Sequence, residues 1–235
     1  MYGDNIGQEN EEAYRSLSAK YDDLGKKTQT LCYIIIATIV QVVLVFVFAI
    51  VAVAIDYTTG SEAASTLFSI IFGLIGFGIS IFYGITVMGM GKYDEELKTA
   101  GILYIVSAVC TNLNNMFFED TWIGFILELA AAVLSVIYMI KFATSMEYLT
   151  FNADSSVADS WGKFKNAFII VTVGTVASVF LMFIPIIRIL AALGSIVFII
   201  ALIVVYIWQI VLLFKTSAAM RNFSKGDSKV AKFFE

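Results

Sequence analysis

The distribution of charge constrains this chain more than anything else in it. Five intervals carry no Lys, Arg, Asp or Glu at all: 28–55, 63–91, 99–118, 166–187 and 189–214. A sixth, 121–140, holds a single charge at Glu128. A hydrocarbon core of roughly 30 Å takes about 20 helical residues to cross, and each interval reaches that length. The expected fold is therefore an all-α integral membrane protein, a six-transmembrane-helix bundle of three helical hairpins. Its spans are placed near 31–55, 64–90, 99–118, 121–140, 166–184 and 189–214. Composition agrees, because 60% of the residues are hydrophobic before Gly is counted, whereas soluble domains reach about 45–50% with Gly included.

The cations give the orientation. Every Lys and Arg except Arg188 falls on one side of this arrangement. Positive residues resist translocation, so both termini are expected in the cytoplasm, with the plasma membrane as the expected location. A five-span alternative would fuse 166–214 into about 73 Å of helix and would export the basic tail; Pro185 and Arg188 mark a tight turn instead. The first 30 residues are polar and acidic, so no cleavable signal is expected, and Leu31–Ile55 is too long for a signal core.

Three segments follow. Residues 1–30 form a cytoplasmic amphipathic segment with Tyr14, Leu17, Tyr21 and Leu24 as an apolar stripe at helical spacing. Six acids against four bases before residue 28 argue against an anionic-lipid anchor, which leaves packing under the bundle or against a partner. Residues 31–214 form the membrane domain. Residues 215–235 form a basic cytoplasmic tail, read as a positive-inside flank in preference to a leaflet-binding segment. An internal repeat is suggested by Lys20-Tyr21-Asp22-Asp23-Leu24-Gly25-Lys26-Lys27-Thr28 against Lys92-Tyr93-Asp94-Glu95-Glu96-Leu97-Lys98-Thr99, with a weaker third copy at Gly162-Lys163-Phe164. Recurrent flanks before inward-starting helices explain the same pattern. Ser156-x-x-Asp159 reads as a capping box opening the helix into span five.

The missing chemistry is informative. Without His the chain has no bis-His haem, no His-ligated zinc and no His-activated nucleophile. No Asp lies inside a span, and no Gly-rich phosphate loop follows a strand. The expectation is a non-enzymatic protein with no catalytic residues, no metal, no cofactor and no nucleic-acid partner. Cys32 and Cys110 would differ by about 15 Å in depth, too far for a disulfide.

Two polar features remain. Glu128 lies about 10 Å into span four, where a charged group costs roughly 3 kcal/mol unless it meets protein or water. Its expected partners are Thr111, Asn112 and Asn115 on span three, either as a ligand site for a cation, proton or small polar solute, or as an interhelical clamp. On span two, Ser69, Gly73, Gly76, Ser80 and Gly84 form a small-residue face for close helix packing, internal or between copies. The favoured function is a membrane subunit, embedded in the lipid bilayer, that packs with a partner membrane protein or as a homo-oligomer. The alternative is a small channel or solute-binding transport component built around Glu128.

Overall fold

The computed structural model describes residues 3–59, 63–118, 121–181, 184 and 188–226, without the side chains of 3–11, Thr59, Ala64 and Arg188. Within them all regular structure is helical. The helices are α1 (Gly3–Thr59), α2 (Ala63–Gly89), α3 (Glu95–Leu113), α4 (Trp122–Phe151), α5 (Ser155–Leu181) and α6 (Arg188–Ser224). Each contains a stretch long and apolar enough to cross a membrane. The expected turn at Pro185 and the last part of the tail lie outside the described residues.

Four helices, α1, α4, α5 and α6, run well past the apolar intervals. Composition divides the chain at residue 30, but α1 is one helix of 57 residues, about 85 Å long at 1.5 Å per residue. Pairs four residues apart carry it through the charged stretch, Lys26 with Asp22 and Lys27 with Asp23 at 3.2 Å. Likewise α4 continues to Phe151 and α6 to Ser224.

Helix breaks occur where a side chain supplies the cap. After a 3₁₀ turn at Met90–Lys92, Asp94 adopts an extended backbone (φ −155°, ψ 117°) and accepts from the amide of Glu96 at the start of α3. Thus the second copy of the repeated motif sits at a helix start, whereas the first lies inside α1. The expected capping box at Ser156 is corrected in the same way. Asp154 caps α5, its carboxylate accepting from the amides of Ser156 (2.9 Å) and Val157 (3.2 Å). Asp159 pairs instead with Lys163, one turn on. Asp is as strong an N-cap as Ser, and it comes two residues earlier.

The chain forms two compact units, residues 1–29 with 140–235, and residues 30–139. The first packs around Trp161, whose ring meets Phe142 and Phe164 edge-on at 5.8 and 5.4 Å. Its indole N–H donates to the Thr216 hydroxyl at 2.8 Å, and both residues are fully buried. Lys165 pairs with Glu147 at 2.9 Å beside Gly162, which leaves room for the carboxylate. Gly174 lets α5 lie flush against the Phe198 ring of α6.

In the second unit α2 and α3 cross backbone to backbone. A Cβ on Gly101 would stand 2.6 Å from the Met88 amide nitrogen and 2.7 Å from the Gly84 carbonyl oxygen. Both units are apolar outside: Phe46 is 69% exposed, Ile170 67% and Val197 63%. Water-soluble monomers seldom show apolar patches beyond a few hundred Å², so outward faces of this kind along every span suit lipid.

Candidate functional site

The polar residues of α2, α3 and α4 form a seam inside the second unit. The hydroxyls of Tyr83 and Tyr138 share a hydrogen bond of 2.7 Å, and the Tyr104 ring lies 4.7 and 4.9 Å from theirs. One turn along, Ser107 donates to the Ala131 carbonyl at 2.9 Å and shares a 2.7 Å hydrogen bond with Ser135. Such pairs hold helices together where no water is present, each worth about 0.6 kcal/mol on average. These hydroxyls satisfy one another and the Ala131 carbonyl.

Nearer the α3–α4 connection the geometry changes. The last turn of α3 opens into a π-helix, Asn114–Phe118, a form that recurs at functional sites. Thr121 donates to the Phe118 carbonyl at 2.6 Å and accepts from the Gly124 amide at 3.0 Å. Gly124 is buried against both the Phe118 carbonyl and the Asn114 amide oxygen, and any Cβ there would collide with backbone. Among the described residues the buried Asn114 oxygen has no hydrogen-bond partner. From the sequence Asn114 shares the polar arc of span three with Thr111 and Asn115, and a 3.6-residue period gives no reason to single it out among these equivalent polar groups.

The hydrogen bonds expected around Glu128 are not made among the described residues. Glu128, Thr111 and Asn115 are exposed and Asn112 half-buried. Among the described residues none of the four hydrogen-bonds to another, and Asn112 donates to Ala108 of its own helix. The reason lies in the register of α4. Gly124, Ala131 and Tyr138 are buried at seven-residue spacing and mark the inward face. At about 100° per residue Glu128 stands roughly 60° to one side of Ala131, on the rim. Its neighbours on that rim, Thr121, Phe125 and Ala132, are exposed too. Ser107 fixes α3 against Ala131, which brings Thr111 to a similar depth; antiparallel helices rotate in opposite senses, so Thr111 and Glu128 share one rim.

The small-residue face of α2 divides by depth. Gly84 receives Ile105 of α3, and Gly76 receives the Gln41 side chain of α1, whose amide donates to the Phe72 carbonyl at 2.9 Å. Ser80 is half-buried. Ser69 and Gly73 instead line an apolar groove of about 420 Å³ with Phe48, Phe68 and Ala52. Among the described residues no three His, Cys, Asp or Glu side chains converge as a metal site. No protein-family model, no curated protein and no solved structure matches this chain.

Proposed function

We propose that the chain is a non-enzymatic subunit of a membrane assembly. In this reading its six helices cross the plasma membrane, both termini lie in the cytoplasm, and the subunit associates laterally with a partner membrane protein or a second copy. The observation that carries the reading is Glu128, exposed on the rim of α4 within a span and making no hydrogen bond or ion pair among the described residues. An intramembrane carboxyl facing acyl chains costs up to about 3 kcal/mol, a penalty removed by a facing hydrogen-bonding group. Thr111 and Asn115, exposed on α3, extend the same polar edge. A transport site draws less support, since it needs Glu128, Thr111, Asn112 and Asn115 around one cavity.

Association in bilayers tests the proposal. In nanodiscs or native vesicles, Glu128→Leu weakens association about tenfold or more, the equivalent of at least 1.4 kcal/mol. Glu128→Gln keeps most of it, because a carboxamide still donates and accepts. Equal association for wild type and Glu128→Leu, with folding intact, overturns the reading.

A further inference from the structure

The rim that carries Glu128 is two helices wide and holds both halves of a hydrogen bond. On α4, Thr121, Phe125, Glu128 and Ala132 follow one another at spacings of four, three and four residues, and all are exposed. That spacing makes a straight stripe along a helix, the pattern on which a second helix packs at a shallow angle. Beside it on α3 stand Thr111 and Asn115, one turn apart and exposed. Among the described residues the side chains of Glu128, Thr111 and Asn115 make no hydrogen bond or ion pair.

Depth selects the donor for Glu128. Ser107 donates to the Ala131 carbonyl, so those two residues lie level. From that level Thr111 is four residues toward the α3–α4 connection, about 6 Å, and Glu128 is three residues in the same direction, about 4.5 Å. Asn115 lies about 6 Å beyond Thr111.

We propose that two copies of the chain pair on this rim about a twofold axis along the membrane normal, Glu128 of each accepting from the Thr111 hydroxyl of the other. This pairing rests on the lateral association already proposed and names its partner. Copies inserted with the same topology are related by rotation about the normal, which preserves depth, so Glu128 meets groups at its own level. Thr111 is the donor at that level. A twofold axis makes each contact twice, and both carboxyls and both hydroxyls are then satisfied by this chain alone. Within one copy the two groups stand side by side and do not bond. An unrelated partner would have to carry a donor and an acceptor in the inverse arrangement at the same depth. The small side chains of Thr121 and Ala132, on either side of Glu128, allow close helix approach.

Cysteine cross-linking in native membranes tests the pairing, in a chain whose own Cys32 and Cys110 are changed to Ala. Copies carrying Thr111→Cys and one tag are co-expressed with copies carrying Glu128→Cys and another. The reciprocal pair, Glu128 of the first copy with Thr111 of the second, remains to hold the dimer. Oxidation is expected to give a species of twice the chain mass bearing both tags, since paired residues bring their Cα atoms within the roughly 4.4–6.8 Å that a disulfide spans. Ile170→Cys on α5, exposed but in the other unit, gives none with either copy. In nanodiscs that contain this chain alone, Thr111→Val removes both bonds and weakens self-association about eightfold, from two interhelical bonds of about threefold each. Absence of the two-tag species from folded, inserted chains, or unchanged self-association in Thr111→Val, overturns the twofold pairing. Lateral association itself survives that result if a photo-cross-linker at Phe125 still captures a different protein in a manner that Glu128→Leu abolishes, and falls with it if no protein is captured.

Discussion

Replacing Thr216 by Val isolates one hydrogen bond in the core of the first unit. Val has nearly the shape of Thr, so the packing of Trp161 against Phe142 and Phe164 is kept. What changes is the acceptor 2.8 Å from the Trp161 indole nitrogen. Both residues are 0% exposed, so water cannot replace the lost hydroxyl. A buried N–H left unpaired costs about 1–3 kcal/mol, whereas an average satisfied hydrogen bond contributes nearer 1 kcal/mol. The expected loss is thus about 1–3 kcal/mol, a 5- to 150-fold shift toward the unfolded state. Titration from maltoside into sodium dodecyl sulfate, followed by tryptophan fluorescence, measures it, and Thr216→Ser separates the acceptor from the methyl group. A loss below about 0.5 kcal/mol, the range of ordinary surface substitutions, refutes this account of the core.

The glycines supply a contrast. Gly101→Ala forces the α2–α3 crossing apart and is expected to cost about 1–3 kcal/mol, while Gly78→Ala meets nothing within 4 Å and gains up to about 1 kcal/mol of helix propensity; the same detergent titration ranks them. Burial pushes the Tyr21 phenol above its ordinary value of 10.0, with the Asn152 hydrogen bond opposing and the nearby Tyr148 adding a smaller upward push. A raised folded pKa means this contribution is complete below about pH 10 and fades as pH climbs through the folded value, so the stability difference between wild type and Tyr21→Phe should narrow or reverse only in that alkaline range. Asn222-Phe223-Ser224 is a glycosylation sequon exposed at Asn222, and in a glycosylating host it stays unmodified if the C-terminal end is cytoplasmic. A glycan there contradicts the orientation.

The helices were legible from charge because each apolar interval had to be long enough to span a bilayer, and each helix takes its apolar stretch from one of those intervals. Helix ends were not, since hydropathy reports where lipid could begin and not where backbone hydrogen bonds stop. Residues 3–30 continue into the first span through ion pairs that a composition boundary conceals. Asp154 caps α5 although the Ser156 signature is the more conspicuous pattern. Within the site, Tyr104 and Ser107 of α3 stand three residues apart, and Ser135 with Tyr138 repeats that spacing on α4, a match that signals the seam. Glu128 lies outside the seam for a geometric reason: about 60° of rotation separates the rim of a helix from its face, and the π-turn at Asn114 breaks the 3.6-residue count used to align the two spans.

Lateral association through that rim can be read directly in native membranes. Benzoylphenylalanine is placed at Phe125 or Ala132, which flank Glu128, and at Ile126 or Val133, exposed on the opposite arc of α4. After irradiation, the first two positions are predicted to yield a discrete protein adduct that Glu128→Leu removes, and the second two to yield lipid adducts alone. Lipid adducts alone from all four positions, in a chain that remains folded and inserted, would contradict the association.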